Sequence, residues 1–283
     1  MKSLVIGSTS VIGKSIAASL ARLGEVRTAG RRDADFPLDL SHTETPLPDV
    51  GRFDTLVLVA AAFGGTSTED LLRTEQVNAM GTLRACQLAE RNGVRHMILV
   101  SSISASYQAQ DAYYGIYALS KRHAEELATL FCRERGITLT ILRPSQVYDA
   151  AGACRKHQAL LYTIAANARA GQPVQLYGSN DARRNYLYLD DLAEIVTRVA
   201  QRTVGGQFDC VHPDSPRLSE IVHAAFAAYD RKADVRFLLD KPDIADLPAM
   251  QCDERLHEAI DYWPATDIVA GMKLISSTWE NQP

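Results

Sequence analysis

Short apolar runs alternate with longer helical patterns along the first half of this chain. The runs cover residues 3–7, 55–61 and 96–102, and a segment of helical periodicity follows each one. Because the runs are apolar on both faces, each predicts a strand that is covered on both sides, as in a parallel sheet between two layers of helices. The sequence therefore predicts an α/β fold built on a doubly wound parallel sheet.

The later part of the chain has a looser pattern. Residues 138–148 predict a further strand, and residues 239–262, rich in Asp, Pro and charge, predict loops with a short helix. Residues 186–200 predict a strand end followed by a helix, with Asp190 or Asp191 as its N-cap.

The length allows one large domain or a main domain with a small one. The chain has 283 residues, of which 46% are hydrophobic, enough for a large buried core. We expect residues 1–149 to form a dinucleotide-binding domain. Residues 150–283 are expected to form mainly a substrate-binding region, with some segments that return to the first core.

Charge and apolar runs exclude several classes of protein. The net charge is −4 and no run of Lys and Arg exceeds two residues, so no nucleic acid is expected as a partner. The longest apolar run covers residues 56–63, far below the roughly 20 residues that span a bilayer, so we expect a cytoplasmic protein without membrane contact. The five cysteines lie far apart without a Cys-x-x-Cys pair, so neither a metal site nor a disulfide framework is predicted.

A glycine-bounded turn joins the first predicted strand to the first helix. Backbone N–H groups and the helix dipole at such a position favour a pyrophosphate. Gly7 allows the tight turn and Gly13 lets the helix approach the sheet, but Ser10 stands where a middle glycine would let the ligand approach the backbone. The candidate cofactor-binding residues of this turn are Gly7, Ser8, Thr9, Ser10, Val11, Ile12 and Gly13.

Two arginines follow the second predicted strand. An acid at this place would bind a ribose 2'-hydroxyl, whereas Arg31 and Arg32 supply two guanidiniums that suit a 2'-phosphate. NADP(H) is therefore preferred as the cofactor, and NAD(H) remains the alternative.

A Tyr-x-x-x-Lys pair lies downstream of a serine-rich strand end. On a helix, this spacing places Tyr117 and Lys121 on one face, where the ammonium is expected to lower the pKa of the phenol. A phenol so adjusted can act as a general acid or base toward a carbonyl or alcohol oxygen. Ser102 would hold that oxygen.

These motifs together resemble the extended short-chain dehydrogenase/reductases, and more narrowly the NAD-dependent epimerase/dehydratase group that acts on nucleotide sugars. The motifs are found at residues 7–13, 100–104, 117–121, 142–148 and 184–191, and the resemblance runs nearly end to end. It implies a Rossmann fold and a homodimer formed through the helices that start near Glu69 and Tyr113.

The resemblance also implies roles for individual residues. It makes Ser102, Tyr117 and Lys121 the catalytic set, with Lys121 also on the nicotinamide ribose. The other cofactor-binding candidates are Asp39 and Leu40 at the adenine, Ala60, Ala61 and Ala62 at the middle of the cofactor, Asn78 as a structural or water-relay residue, Ser101, and Pro144 and Val147 at the nicotinamide. The substrate-binding candidates are Arg184, at the diphosphate of a nucleotide sugar, with Ser104, Gln146 and Tyr186.

The chain departs from the family pattern at two places. Ser10 replaces the second glycine of the Gly-x-x-Gly-x-x-Gly fingerprint. The serine segment can be aligned in two ways, which leaves Ser104 as a rival to Ser102, the preferred catalytic serine.

The residues after Ser102 restrict the reaction. A dehydratase of this family would need acidic residues there, and a 3,5-epimerase/reductase a cysteine, but Ile103 and Ser104 follow. Two reactions remain: NADPH-dependent reduction of a keto-sugar, more narrowly by a 4-ketoreductase, and 4-epimerisation with a tightly held NAD. Arg31 and Arg32 favour reduction. A non-catalytic dinucleotide-binding regulator is the alternative from another class.

Overall fold

The computed structural model describes residues 1–42, 44–248 and 250–281. Its strands are β1 (Lys2–Ile6), β2 (Glu25–Gly30), β3 (Phe36–Pro37), β4 (Thr55–Leu58), β5 (His96–Val100), β6 (Thr138–Pro144), β7 (Gln146–Tyr148), β8 (Val174–Tyr177), β9 (Tyr186–Tyr188), β10 (Gly206–Cys210) and β11 (Val235–Leu238). Its α-helices are α1 (Val11–Leu20), α2 (Thr68–Glu75), α3 (Gly81–Arg91), α4 (Ile116–Arg135), α5 (Ala159–Ala170), α6 (Leu189–Arg202), α7 (Leu218–Ala227), α8 (Glu254–Ile260) and α9 (Ile268–Glu280).

Seven strands form one parallel sheet in the order β10-β6-β5-β4-β1-β2-β3. The chain starts at β1, builds outward to β3, and then returns to β4 to build in the other direction. The strand order therefore reverses between β1 and β4. In such sheets the crevice beyond the carboxyl ends of the strands at this reversal is where ligands bind.

The central strands are buried on both faces, as their apolar runs predict. Leu4, Leu56 and Ile98, from three neighbouring strands, are 0–1% exposed. Helices cover the sheet, and α3 and α4 pack against each other. The predicted α/β fold with a doubly wound parallel sheet is confirmed.

The stretch over residues 138–148, predicted as one strand, is divided in the structure. β6 lies in the seven-stranded sheet, whereas β7 pairs with β9 in a separate two-stranded sheet. The division falls at Pro144 and Ser145, and a proline has no N–H with which to extend a ladder of hydrogen bonds.

The chain forms two compact units. The first unit consists of Met1–Pro144, Ala193–Cys210 and Asp253–Tyr262, and it contains the seven-stranded sheet. The second unit consists of Ser145–Leu192, Val211–Cys252 and the chain from Trp263 onward. Within the second unit, α7 packs on α5 and α9, and the two small parallel sheets pair β7 with β9 and β8 with β11.

The acid pair at the start of α6 has a different role from the one expected. The helix begins at Leu189, so Asp190 and Asp191 lie in its first turn and neither is its N-cap. The carboxylate of Asp191 instead accepts hydrogen bonds from the backbone N–H groups of Ala265 and Thr266, both at 3.0 Å. The N-cap prediction was wrong because this carboxylate binds a segment distant in sequence.

No helix in the described part of the chain is long and apolar enough to cross a membrane. The five cysteines are free thiols, four of them buried.

Candidate active site

The glycine turn between β1 and α1 is tightly packed against the end of β4. Gly7 has φ of 96°, in the left-handed region, and a Cβ at this position would lie 2.6 Å from the backbone nitrogen of Ala60. A Cβ on Gly13 would collide with the carbonyl of Gly7. Both glycines are therefore required by close approach, and the turn lies at the reversal of strand order between β1 and β4.

Ser10 replaces the middle glycine and stabilises the turn. It is the N-cap of α1, and its Oγ accepts a hydrogen bond from the N–H of Gly13 at 3.0 Å. The same Oγ donates to the carbonyl of Gly7 at 2.9 Å. The hydroxyl thus ties the turn to the first turn of the helix and satisfies one of the free N–H groups found there.

The turn retains features that fit a bound pyrophosphate. Thr9 and Ser10 are exposed and Val11 is partly exposed, so a ligand can reach the start of α1. The Oγ of Ser8 is buried and has no hydrogen-bond partner among the described residues. A buried hydroxyl without a partner is costly unless something binds it. The residues of this turn therefore fit the group that the sequence predicts.

The two arginines after β2 are exposed. Arg31 lies near enough to Asp39 to help lower the pKa of that carboxyl group. Burial opposes this lowering, and hydrogen bonds from the backbone N–H and the hydroxyl of Ser41, at 2.9 and 2.6 Å, add to it. Asp39 thus lies near Arg31, and Leu40 is buried against Gly81.

Asn78 joins three segments beside the end of β4. It lies in a π-helical turn, Gln76–Met80, between α2 and α3. Its amide accepts from the N–H of Ala62 at 2.7 Å and donates to the carbonyl of Ala62 at 2.8 Å. It also donates to Ser120 Oγ on α4 at 2.9 Å. These bonds give Asn78 a structural role, one of the two expected for it.

Ser102, Tyr117 and Lys121 come together in the first unit. Ser102 follows β5, and its hydroxyl lies close enough to the phenol of Tyr117 on α4 to favour the ionised form of that phenol. Lys121, one helical turn later, is 3% exposed, and its Nζ donates to the carbonyl of Val100 at 2.9 Å. The ring of Phe63 stacks on that of Tyr117, with centroids 5.2 Å apart. This contact depends on a loop conformation, and no sequence pattern indicates it.

The pKa of Tyr117, the phenol one helical turn before Lys121, differs from the expectation. Burial raises the pKa of Tyr117 to about 12, and the nearby hydroxyl of Ser102 only partly opposes this rise. Burial also lowers the pKa of Lys121 to about 8, against the opposing charge of Glu125. The expected lowering of the Tyr117 pKa was wrong, because loss of solvent around the phenol raises this pKa by more than Ser102 lowers it.

The structure distinguishes the two candidate serines by their contacts. Ser102 is the N-cap of a short 3₁₀ turn, Ile103–Ser106, and its Oγ accepts from the N–H of Ser104 at 3.2 Å. Its Oγ also lies 3.2 Å from Ser104 Oγ. Ser102 is the serine that lies close enough to Tyr117 to affect the pKa of its phenol, and Ser104 lies beside it.

A buried carboxylate that the sequence analysis did not single out lies behind this group. Glu125, on α4, is 3% exposed and accepts from Ser101 Oγ at 2.5 Å. Arg143 of β6 binds it through both Nε, at 2.9 Å, and Nη2, at 2.5 Å. Glu125 lies four residues after Lys121 on the same helix, and this spacing is the sequence feature that could have identified it.

The predicted substrate residues lie in the second unit, apart from Ser104. Arg184 is 5% exposed and donates to the carbonyls of Arg183 and Ala245, at 2.7 and 3.0 Å. Gln146 and Val147 lie in β7, where Gln146 Nε2 donates to Gln158 at 3.1 Å, and Tyr186 is buried edge-on against Tyr148. Pro144 ends β6 in the first unit.

Arg184 lines a cavity of about 420 Å³ within the second unit. The charged residues of its lining are Arg183, Arg184, Arg217, Asp181 and Asp246. Each carboxylate accepts a backbone N–H, Asp181 from Ser219 at 2.9 Å and Asp246 from Arg183 at 3.2 Å. With three guanidiniums against two carboxylates, the lining carries an excess of positive charge that suits an anion.

The arrangement matches known proteins in sequence and in fold. The sequence profile of the NAD dependent epimerase/dehydratase family matches residues 3–210. The chain belongs to this family. The predicted family is thereby confirmed.

Two curated relatives show what kinds of protein this family member resembles. UDP-glucuronic acid decarboxylase 1 of Arabidopsis thaliana is 25% identical over 228 residues, which cover 75% of this chain and 51% of the relative. The dTDP-4-dehydro-6-deoxy-D-allose reductase of Streptomyces bikiniensis is 24% identical over 150 residues, 52% of this chain and 45% of the relative. The chain thus spans about half the length of these curated relatives. Their names support the prediction of an NAD(P)-dependent enzyme.

Two solved structures share the fold over the whole chain. The UDP-N-acetylglucosamine 4-epimerase from Bacillus cereus superposes with a TM-score of 0.80 at 18% identity and covers 100% of this chain and 98% of its own. The protein RMD from Pseudomonas aeruginosa, complexed with NADPH, gives 0.77 at 19% identity and 100% of both chains. This likeness shows that the family member shares its fold, including the Rossmann-type sheet, with these proteins.

Proposed function

We propose that this protein is an NADPH-dependent reductase of a keto group on a nucleotide-linked deoxysugar, and more narrowly a 4-ketoreductase. One observation carries the proposal: the hydroxyl of Ser102 lies close enough to the phenol of Tyr117 to affect its pKa, and a buried lysine lies one helical turn away. A hydroxyl pair of this kind can bind one carbonyl oxygen from two sides.

Tyr117 is the proton donor in this mechanism. Because the pKa of its phenol is raised to about 12, Tyr117 is protonated at neutral pH and can give its proton to the carbonyl oxygen as that oxygen gains electrons. Ser102 donates a hydrogen bond to the same oxygen and stabilises the charge that develops there. NADPH, when bound, supplies the hydride.

Lys121 supports the phenol electrostatically. With a pKa near 8, its ammonium is charged at neutral pH and stabilises the phenolate that Tyr117 leaves behind after proton transfer. The hydrogen bond from Nζ to Val100 fixes this charge beside the strand that leads to Ser102.

The preference for NADPH is based on the end of β2. Arg31 and Arg32 are exposed there, in the first unit, beside a glycine turn that fits a pyrophosphate. Two guanidiniums can bind a 2'-phosphate with several charge-assisted hydrogen bonds. A similar fold is known in complex with NADPH, in the protein from Pseudomonas aeruginosa.

The substrate's diphosphate is assigned to Arg184 in the second unit. This guanidinium is held in place by two carbonyls and lines a cavity with excess positive charge. The names of the relatives, a UDP-sugar decarboxylase and a dTDP-sugar reductase, support a nucleotide sugar as the substrate class.

The test compares cofactor binding and turnover in one set of proteins. Tryptophan-quenching titrations with NADPH and NADH use the wild type, checked for carried-over cofactor, Arg31→Ala/Arg32→Ala, and Arg52→Ala/Arg73→Ala as a control that removes two other exposed arginines. We expect the wild type and the control to bind NADPH more tightly than NADH. Arg31→Ala/Arg32→Ala should lose this preference. Loss of NADPH absorbance with 4-keto nucleotide sugars then tests the reaction.

The second candidate is a nucleotide-sugar 4-epimerase with a tightly held NAD. Asp39 favours it, because this carboxylate lies near Arg31, compensates part of its charge and could accept a ribose hydroxyl. Purification with bound NAD, and interconversion of UDP-sugar epimers without net cofactor consumption, would move the assignment to this reaction. Release of CO₂ from UDP-glucuronic acid would overturn both candidates. Dinucleotide binding without any turnover would indicate a regulator.

A further inference from the structure

Three consecutive residues at the end of β5 face the same side of α4. Val100 accepts a hydrogen bond from Lys121 and Ser101 donates one to Glu125, while Ser102 lies close enough to Tyr117 to affect the pKa of its phenol. The partners on α4 are spaced four residues apart, so they lie above one another along the helix. The strand end and the helix are thereby joined by two hydrogen bonds beside the Ser102–Tyr117 pair.

Glu125 lies at the end of this row, farthest from the phenol. Its backbone carbonyl also accepts from Thr129 Oγ1 within the helix at 2.7 Å. Its carboxylate is held on the other side by the fork of Arg143, which in turn lies 3.8 Å from Asp209 of β10. One buried carboxylate therefore links the helix that carries Tyr117 and Lys121, the strand end that carries Ser102, and two further strands of the sheet.

A purely structural role does not account for this arrangement well. A buried ion pair stabilises a fold little, because the cost of removing both charges from water offsets most of their attraction. Glu125 and Arg143 are nearly dry, with side chains 4% and 16% exposed. Such a pair instead holds the groups around it in a fixed geometry. Here those groups include the proposed catalytic residues Ser102, Tyr117 and Lys121.

We propose that Glu125 is a positioning residue for the reaction, holding Lys121 and the β5 end in place relative to Tyr117 through its bonds to Ser101 and Arg143. That Glu125 serves the reaction rests on the proposed function. Glu125 itself touches neither Tyr117 nor Ser102 in the contacts described above, so it acts through Lys121 and Ser101.

The charges around α4 support the assignment. On α4 itself, Tyr117 and Glu125 flank Lys121, and Arg122 donates to the carbonyls of Ala105 and Tyr107. From α2, Glu75 pairs with His123, and from the sheet Arg143 and Asp209 face Glu125. Among these groups, the charge that opposes the burial of Lys121 and keeps its pKa from falling below about 8 is that of Glu125.

The first measurement follows Lys121 directly, without substrate or cofactor. The chain contains seven lysines, so ¹⁵N NMR of protein labelled at lysine Nζ gives few signals, and Lys121→Arg assigns the one of interest. We expect Glu125→Gln to lower the pKa of Lys121 by about one unit or more, since it removes the opposing charge. Glu126→Gln, the exposed neighbour on α4, is the matched control and should leave the titration unchanged.

The second measurement is the pH profile of turnover. In Glu125→Gln the fall in kcat at high pH should begin at lower pH than in the wild type, so that kcat drops about tenfold more at pH 8.5 than at pH 6.5. The KM for NADPH should change less than kcat. Glu125→Asp keeps the charge and should restore the titration of Lys121, with part of the turnover lost because its side chain is shorter.

The outcomes separate this inference from the proposed function. If Lys121 titrates alike in Glu125→Gln and the wild type, Glu125 is structural and the inference is overturned, whatever the activity. If the titration shifts but the wild type reduces no keto-sugar, Glu125 controls Lys121 and the reaction class is wrong. If Glu125→Gln does not fold, Glu125→Gln/Arg143→Met removes both buried charges and should show the same shift of Lys121.

Discussion

At the scale of single residues, burial brings Tyr117 and Lys121 into the protonation states that a reduction needs. The phenol, with its pKa raised to about 12, remains protonated, and the ammonium, with its pKa lowered to about 8, remains charged at neutral pH. The resting site therefore holds a proton ready to donate. An alcohol oxidation, the first half of an epimerisation, would instead need the phenolate, which is scarce at this pH.

Replacement of Tyr117 by Phe tests the proton donor. Loss of the hydroxyl should lower kcat by roughly 10²- to 10⁴-fold, the usual contribution of a general acid, with a smaller change in the KM for the sugar. Steady-state kinetics with NADPH and a 4-keto nucleotide sugar measure both values.

Tyr114→Phe is the matched control, since Tyr114 lies before α4 and outside the row of bonds to β5. It should leave kcat within about twofold of the wild type. A Tyr117→Phe enzyme that kept most of its turnover would rule out the phenol as the acid.

The sequence predicts the residues of the site that depend on spacing along one element. Tyr117 and Lys121 are four residues apart on one helix, and the glycines at 7 and 13 bracket one turn. Contacts between distant segments are not encoded in such spacing. The stacking of Phe63 on Tyr117, the fork of Arg143 on Glu125 and the pKa of the phenol all arise from packing, which sets how much water each group loses.

At the scale of secondary structure, the π-helical turn between α2 and α3 is an element that the sequence did not predict. Its wider turn carries Asn78, which bonds to both backbone groups of Ala62 and to Ser120. Such turns occur within α-helices and often at functional sites. The hydrophobic pattern predicts one helix across this stretch because a single extra residue per turn hardly changes it.

Asn78→Ala should destabilise the protein by roughly 2–4 kcal/mol, because it removes three hydrogen bonds and takes away the side-chain partner of both partly buried backbone groups of Ala62. Urea unfolding followed by circular dichroism gives the change in the free energy of unfolding. Gln76→Ala, an exposed position in the same turn, is the control and should change it by less than about 0.5 kcal/mol. Equal losses of unfolding free energy in the two variants would show that the stability does not depend on the amide of Asn78.

His96 in β5 should make stability depend on pH. Its Nε2 lies 2.7 Å from Thr140 Oγ1 on β6, and burial lowers the pKa of the imidazole to about 4. The unfolded chain, with a histidine pKa near 6.5, binds the proton more readily, so stability is lost as the pH falls from 6.5 toward 4. The loss should approach about 1.4 kcal/mol per pH unit within that window.

His96→Gln should flatten this slope by the contribution of one proton, measured by urea unfolding at several pH values between 4.5 and 7. His223→Gln, at an exposed histidine, serves as the control and should retain the slope of the wild type. An unchanged slope in His96→Gln would mean that other groups carry the pH dependence.

At the scale of the whole molecule, the predicted homodimer corresponds to exposed apolar side chains on the helices expected to form it. Leu71 and Leu72 of α2, Met80 of the π-helical turn and Leu130 of α4 are 40–67% exposed, all within the first unit. Exposed apolar groups on neighbouring elements favour contact with a second apolar surface.

Leu72→Arg should convert the protein from a dimer to a monomer, because it places a charge at the most exposed of these positions. Size-exclusion chromatography with light scattering gives the molar mass. Leu239→Arg, at a leucine of the second unit that is 75% exposed, is the control. A wild type of monomer mass at micromolar concentration would contradict the predicted dimer.

The first unit is assembled from three separated stretches of chain, and this has a consequence for anyone who wishes to express it alone. A gene fragment ending at Pro144 would lack β10, so β6 would become an edge strand and Arg143 would lose its neighbour Asp209. Such a truncation should yield insoluble material. A soluble version needs the later two stretches spliced back by short linkers, or new termini placed by circular permutation.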